Sequence, residues 1–261
     1  SGSVSTATAT ESRPAEGTDS SGRGAIRPDQ HNRNRWLVVG VAALVVVTAL
    51  VGAAVYFGTE HSNNVTPTTT PPVGEAVLDG LLLNSGEINK AMGATEMTVS
   101  STASTLNDSG AAVSPPECQP VASPVQTTVY AGSGWSAVRK QSLREPSQQF
   151  AHGVFQAVVL FPSPQAAAAF VSAASKSWSA CANRGYSLTA AGRTGQFTVG
   201  PVSATDGILS AASTAVDGNS PPCQRALTAA NNVVIEATAC MANLTDQAAS
   251  VARQIAAKIP Q

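Results

Sequence analysis

The side chains whose type and spacing could do chemistry are few: Cys118, Cys181, Cys223 and Cys240, the isolated His152, and a basic run around Arg139. A zinc site gathers closely spaced Cys and His ligands, whereas here the cysteines lie far apart and no CxxC pair exists. His152 is the one histidine after His61, so neither HExxH nor a paired-histidine motif is present. Ser-His-Asp catalysis through it would call for a GxSxG elbow, and none occurs. We therefore expect no catalytic centre, no metal and no cofactor, and read the chain as non-enzymatic.

The cysteine spacing carries a different message. In CQRALTAANNVVIEATAC, Cys223 and Cys240 stand equally far from Asn231-Asn232. RALTAA and VVIEATA read as strands, and asparagine tolerates the positive φ that a two-residue type I′ hairpin turn demands. In that register Ala230 faces Val233 as a hydrogen-bonded pair. Alternation outward then sets Cys223 opposite Cys240 at a non-hydrogen-bonded position, where Cα atoms approach to about 4.5 Å. That is the short end of the disulfide range. The spacing thus predicts a Cys223–Cys240 bridge and leaves Cys118 for Cys181. Buried free thiols and a metal site are the competing readings, and the pairing rests on the hairpin, because four cysteines allow more than one connectivity.

Tyr130-Ala-Gly-Ser-Gly-Trp135 combines glycines with two aromatics. A phosphate cradle would need a helix N-terminus after it, and a strand is expected there, so the segment reads as a flexible loop. Tyr130, Trp135, Arg139 and His152 are the candidate ligand-binding residues. Their competing readings are structural: Arg139, Lys140, Arg144 and Glu145 as a solvated strand face and loop, and His152 as a strand residue at a sheet face. Trp178 reads as core.

These groups must be positioned by 261 residues that are 43% hydrophobic and 12% charged, with formal net charge −1. That balance supplies no field to recruit nucleic acid. Residues 1–35 are rich in Ser, Thr, Gly, Pro and charge, cannot offset their ordering entropy by apolar burial, and read as a disordered cytoplasmic tail. Residues 36–57 run 22 positions without a charge, enough at about 1.5 Å per residue to cross the roughly 30 Å hydrocarbon layer. Trp36, Tyr56 and Phe57 mark its ends, as membrane interfaces favour. Arg23, Arg27, Arg33 and Arg35 precede this segment and Lys90 is the first basic residue after it. The positive-inside rule then predicts a single-pass protein with its N-terminus in the cytoplasm and the rest outside. A cleaved signal peptide is the rival reading, which the long n-region and long apolar run disfavour.

Outside the cytoplasm disulfides persist. Residues 58–76 form a Thr- and Pro-rich spacer biased to extended conformations, and residues 77–261 are one domain's worth of chain. In that domain Asn84 and Glu87 predict a capping box for a short helix that Gly93 ends. Ser163 and Pro164 open the strongest helical pattern, with Phe170, Ala174 and Trp178 on one face. Thr245 is the expected cap of a closing helix that turns Val251, Ile255 and Ile259 inward. GWSAVRKQSL, FAHGVFQAVVLF, YSLTAA, GQFTVGPVSA and ILSAASTAV read as strands. Runs of strands bracketed by helices predict an α+β fold with a mainly antiparallel sheet.

LLLNSGEINKAMG, PECQ, VYAGSGW, EPSQQF, QAVVLFPSPQAAAAFV, SWSACA, CQRALTAANNVVIEATAC and QAASVARQIAAKI together resemble the PknH-like extracellular sensor domain. That family is named from the outer domain of a mycobacterial receptor Ser/Thr kinase. The resemblance covers nearly all of Leu81 to Ile259. It implies an α+β domain with a twisted antiparallel sheet, a large cleft, and disulfides joining the first cysteine to the second and the third to the fourth. The tail holds no Gly-rich loop, HRD or DFG motif, so kinase activity is not carried over.

Anchor, spacer and resemblance point to a non-catalytic cell-envelope sensor, tethered to the bilayer by residues 36–57, whose cleft recognises an envelope lipid, glycan or peptidoglycan-like fragment. The alternative is an accessory subunit of a larger membrane complex. Gly40, Ala42, Ala43, Gly52, Ala53 and Ala54 would then let its span pack closely on a partner.

Overall fold

Strand pairing around the Asn231-Asn232 turn organises the molecule. A computed structural model describes residues 70–108, 111–147 and 151–261. The expected tail, the apolar span 36–57 and most of the spacer lie outside the described residues. Among those described, no helix is long and apolar enough to cross a membrane.

A 3-10 turn, Glu75–Gly80, leads to α1 (Ser85–Met92), β1 (Thr98–Ala103) and β2 (Ala111–Ser114). A second 3-10 turn, Pro116–Cys118, runs into the one-turn helices α2 (Gln119–Ala122) and α3 (Thr127–Tyr130). Then come β3 (Ala137–Arg144), β4 (Gly153–Leu160), α4 (Pro164–Ala180), β5 (Gly185–Ala190), β6 (Arg193–Thr205) and β7 (Ile208–Ala215). The hairpin β8 (Cys223–Ala230) and β9 (Val233–Cys240) precedes α5 (Gln247–Ala256). The strands form one nine-stranded antiparallel sheet in the order β1-β3-β4-β9-β8-β7-β6-β5-β2. The α+β expectation is met.

The hairpin occupies the middle of this sheet, so both of its faces are covered. Ala226, Ala230, Val233, Ile235 and Ala237 pack in one core with Leu78 and with Ile88 of α1 and Val251 and Ile255 of α5. Leu227 and Val234 point into the opposite core, with Tyr130, Phe161 and Trp178. Double coverage is why VVIEATA is apolar at successive positions rather than alternating. Full burial of a side chain such as Ile235 contributes roughly 1.5–3 kcal/mol.

Cys223 pairs with Cys240 in the ladder, and the two are bridged at a Cα separation of 4.0 Å. Cys118 is bridged to Cys181, Cα atoms 5.4 Å apart. The turn itself differs from expectation. Asn231 takes φ +49° but Asn232 does not adopt positive φ, so it is not type I′. The Asn232 side chain is engaged elsewhere: it accepts from Val73 N–H at 2.8 Å and donates to Val73 O at 3.0 Å and Phe161 O at 2.8 Å.

The helix ends show local and tertiary capping side by side. In α1, Asn84 Oδ1 accepts from Glu87 N–H at 3.0 Å, Glu87 accepts from Asn84 N–H at 2.8 Å, and Gly93 closes the helix at φ +66°. Ser163 Oγ accepts from Ala166 N–H at 3.2 Å to cap α4. Thr245, however, does not cap α5. The N-cap is Asp246, which makes no side-chain cap bond. Gln224 reaches across from β8 to accept from Ala248 N–H at 3.0 Å, so the sheet satisfies the donor that a local cap would have taken.

Loop-closure entropy rises with the logarithm of loop length, so the two bridges should differ in worth. Removal of Cys118–Cys181, separation 63, is expected to cost roughly 1 kcal/mol more than removal of Cys223–Cys240, separation 17. Urea midpoints of C118A/C181A and C223A/C240A chains measure this, and equal or reversed losses would contradict it.

Candidate binding cleft

Helix α4 lies over one face of the central hairpin and shares that face with the segment Pro116–Ser133. Between them opens a cavity of about 520 Å³. Ala169, Phe170, Ala173 and Trp178 line one wall, and Ala131, Gly132 and Ser133 line the other. Alanine recurs along this side of α4 because a larger side chain would fill the space.

The floor is charged. Arg225 of β8 and Glu236 of β9 are diagonal neighbours in the ladder, where Arg225 faces Thr238 and Leu227 faces Glu236. They form an ion pair although only 5% and 3% exposed. Arg225 also donates to Pro120 O at 2.7 Å, and its guanidinium carbon lies 5.0 Å from the Trp178 ring centroid, in cation–π range. Tyr130 Oη donates to Glu236 at 2.7 Å, and Val125 N–H points at both Glu236 oxygens at 3.3 Å. Val125 holds φ +45°, a conformation that is costly for a β-branched residue. The contact it makes there is a backbone donor aimed at a buried carboxylate. Tyr130 in turn stacks on Phe170, centroids 4.4 Å apart. Burial first, and the Glu236 carboxylate beside it second, raise the Tyr130 hydroxyl well above the usual tyrosine pKa.

The four candidate residues read from the sequence do not converge. Tyr130 is fully buried under the floor and acts through Glu236. Trp135 packs, partly buried, against the same core. Arg139 belongs to the opposite face of the sheet. It pairs with Asp79 at 2.6 Å and Glu75 at 3.1 Å and lines a separate cavity with Asp79 and Leu83. His152 lies just before β4 rather than on it, because its N–H is donated to Glu145 at 2.9 Å instead of to the ladder. Its ring Nδ1 also contacts that carboxylate. Burial pushes the Glu145 carboxyl up, but the two His152 contacts outweigh this and hold it below the ordinary value. The charged run is thus more than a solvated face: Lys140 Nζ also bonds Asn107. Trp178 is core, as read, and at the same time a wall of the cleft.

Sequence reasoning missed Arg225 and Glu236. One charge in each strand of a hairpin that is otherwise uncharged, two positions out of direct register, was the available signal. Among the described residues no three His, Cys, Asp or Glu side chains gather as a metal site.

The family profile described as PknH-like extracellular domain matches residues 73–258. The chain belongs to the PknH-like extracellular domain family. It is 35% identical over 227 residues to the serine/threonine-protein kinase PknH of Mycobacterium bovis, and 34% identical over 228 residues to PknH of Mycobacterium tuberculosis. Each alignment covers 87% of this chain but only 38% and 36% of the respective kinase. No kinase domain lies within these 261 residues. The crystal structure of the extracellular domain of PknH from Mycobacterium tuberculosis matches with TM-score 0.70 at 35% identity, covering 72% of this chain and 97% of that one.

Two outcomes follow from the floor of this PknH-like domain. Arg225→Met leaves Glu236 buried without its cation and is expected to cost about 3–5 kcal/mol, most of it recovered in Arg225→Met/Glu236→Leu. Denaturant midpoints of the single and double variants measure this, and a single-variant loss below about 1 kcal/mol would contradict it. The second outcome is alkaline. Tyr130 is raised in the fold, so the unfolded chain loses its proton first and the stabilisation drains away as pH climbs past about 10. Tyr130→Phe should therefore show a shallower loss of stability between about pH 8 and about pH 11 than the parent chain. Superimposable profiles would count against the buried hydroxyl.

Proposed function

We propose that this chain is a membrane-anchored, non-catalytic sensor of the cell envelope, and that its outer domain takes an amphiphilic envelope molecule in the cleft beside α4. Membership of the PknH-like extracellular domain family supports the extracellular placement of residues 73–258. The apolar segment 36–57 is the proposed anchor.

The observation that carries the reading is the cleft's construction. Its volume falls within the roughly 300–1,000 Å³ of small-molecule sites. Its walls are mainly Ala, Val, Phe, Leu and Trp178 side chains, while its polar groups are few: the Arg225–Glu236 pair, Ser133 and Ser177. Ser133 Oγ is buried without a hydrogen-bond partner. An apolar body with a small polar group matches that lining better than a sugar, whose many hydroxyls would find few partners there.

The test is saturable binding of a labelled envelope lipid extract to the full chain in phospholipid vesicles, compared with Ala173→Trp. Ala173 is an exposed position of α4 that lines the cleft, so the indole fills the cavity without disturbing the core. Binding should fall about tenfold or more, a difference of roughly 1.4 kcal/mol. Undiminished binding in Ala173→Trp would sink the assignment of the ligand to this cleft.

A further inference from the structure

Arg225 stands between two cavities. Its terminal nitrogens are engaged by Glu236 and Pro120 beside the cleft, but its Nε is buried and has no hydrogen-bond partner. Directly across the ladder, the hydroxyl of Thr238 is also buried and also unpartnered. Buried polar groups are nearly always paired, because they lose water on folding and must recover a partner. Two orphans side by side therefore call for an explanation. Their adjacency follows from register: counted in from Cys223 and Cys240, Arg225 and Thr238 share a non-hydrogen-bonded site, where facing side chains come closest.

Both residues line a second cavity of about 360 Å³. Its walls come from Pro124, Phe155, Leu188 and Phe197, and Arg225 is the one residue it shares with the cleft beside α4. Phe155, Leu188 and Phe197 are only partly buried, so the apolar surface opens outward. Tyr186 stacks on Phe197, centroids 5.4 Å apart, and fixes the aromatic side of the chamber.

We infer that this second cavity binds a neutral amphiphile: an ester or amide carbonyl oxygen accepts from Arg225 Nε–H and the Thr238 hydroxyl, and its hydrocarbon lies against Phe155, Leu188 and Phe197. The preference for a neutral head follows from Glu236. Arg225 is already neutralised by that carboxylate, so a second anion would bring a negative charge with no cation left to match it in a buried setting. A carbonyl takes the two free donors and adds no charge. A pure hydrocarbon would leave both donors orphaned. The inference does not rest on the cleft beside α4, since apart from Arg225 the two cavities are lined by different residues.

The experiment uses the full chain in phospholipid vesicles with a monolauroylglycerol probe bearing a photoactivatable diazirine on its acyl chain, and maps adducts by peptide mass spectrometry. Saturable labelling is expected on peptides containing Phe155, Leu188 or Phe197, displaced by unlabelled monolauroylglycerol and at least tenfold less effectively by laurate. Thr238→Val, which keeps the side chain's shape, should raise the half-saturating concentration about tenfold. Thr238→Ser, which keeps the hydroxyl, should restore it, and matching thermal unfolding of both variants excludes a folding defect. Absence of saturable adducts on those peptides, equal displacement by laurate, or an unchanged half-saturating concentration in Thr238→Val would each overturn the inference. Adducts confined to α4 would overturn it too while leaving the cleft reading intact, and adducts confined to β4, β5 and β6 would do the reverse.

Discussion

The structure depends on burying the β8–β9 hairpin on both faces while an ion pair is held inside it. A central antiparallel pair covered by helices on either side has no solvent to which a charged side chain can turn. Arg225 and Glu236 are nonetheless placed there, and the surroundings are arranged to satisfy them: Tyr130, the Val125 N–H and the Pro120 carbonyl each contribute one hydrogen-bonding group. All three come from Pro116–Ser133, the segment tied to the end of α4 by the Cys118–Cys181 bridge. The disulfide and the buried pair therefore act on one another's geometry, since each keeps the same stretch of chain against the same face of the sheet.

A second theme is the use of buried side-chain amides where backbone pairing runs out. Gln156, fully buried on β4, accepts from Leu83 N–H at 2.9 Å and donates to Leu83 O at 2.7 Å, so one side chain imitates a neighbouring strand. Asn232 does the same for Val73, and Gln224 supplies the acceptor that α5 lacks at its start. Through these contacts the segment before α1 and the helix after β9 are attached to the sheet by directional bonds as well as by apolar contact. An amide offers both donor and acceptor without charge, which suits a position between packed layers.

Where side-chain pattern and local backbone agree, elements were legible from the residues alone. The capping box at Asn84, the Ser163-Pro164 helix start and the strands flanking Asn231-Asn232 are examples, because each is set by bonds between residues only a few positions apart. β1 and β2 were not legible. β1 is exposed along its whole length, so TVSSTA carries no alternation, and it exists because β3 offers an edge. Thr245 and His152 failed for a related reason. Local chemistry favoured a cap and a strand, and Gln224 and Glu145 competed from elsewhere with better-placed acceptors.

By itself the sequence determined the fold class, the family and the Cys223–Cys240 pairing, since these rest on short-range spacing and on motif order along the chain, and it left Cys118 for Cys181. Tertiary structure alone decided which groups share a cavity. It separated Arg139 and His152 from Tyr130, sent them to different parts of the sheet, and brought Arg225 and Glu236 beneath α4 beside residues from Pro120 to Ser133. The physical reason is that a strand's face is set by parity and its neighbours by sheet order. A residue's period can be read along the chain, whereas strand order and the segment that covers each face come from the balance of burial across the whole domain.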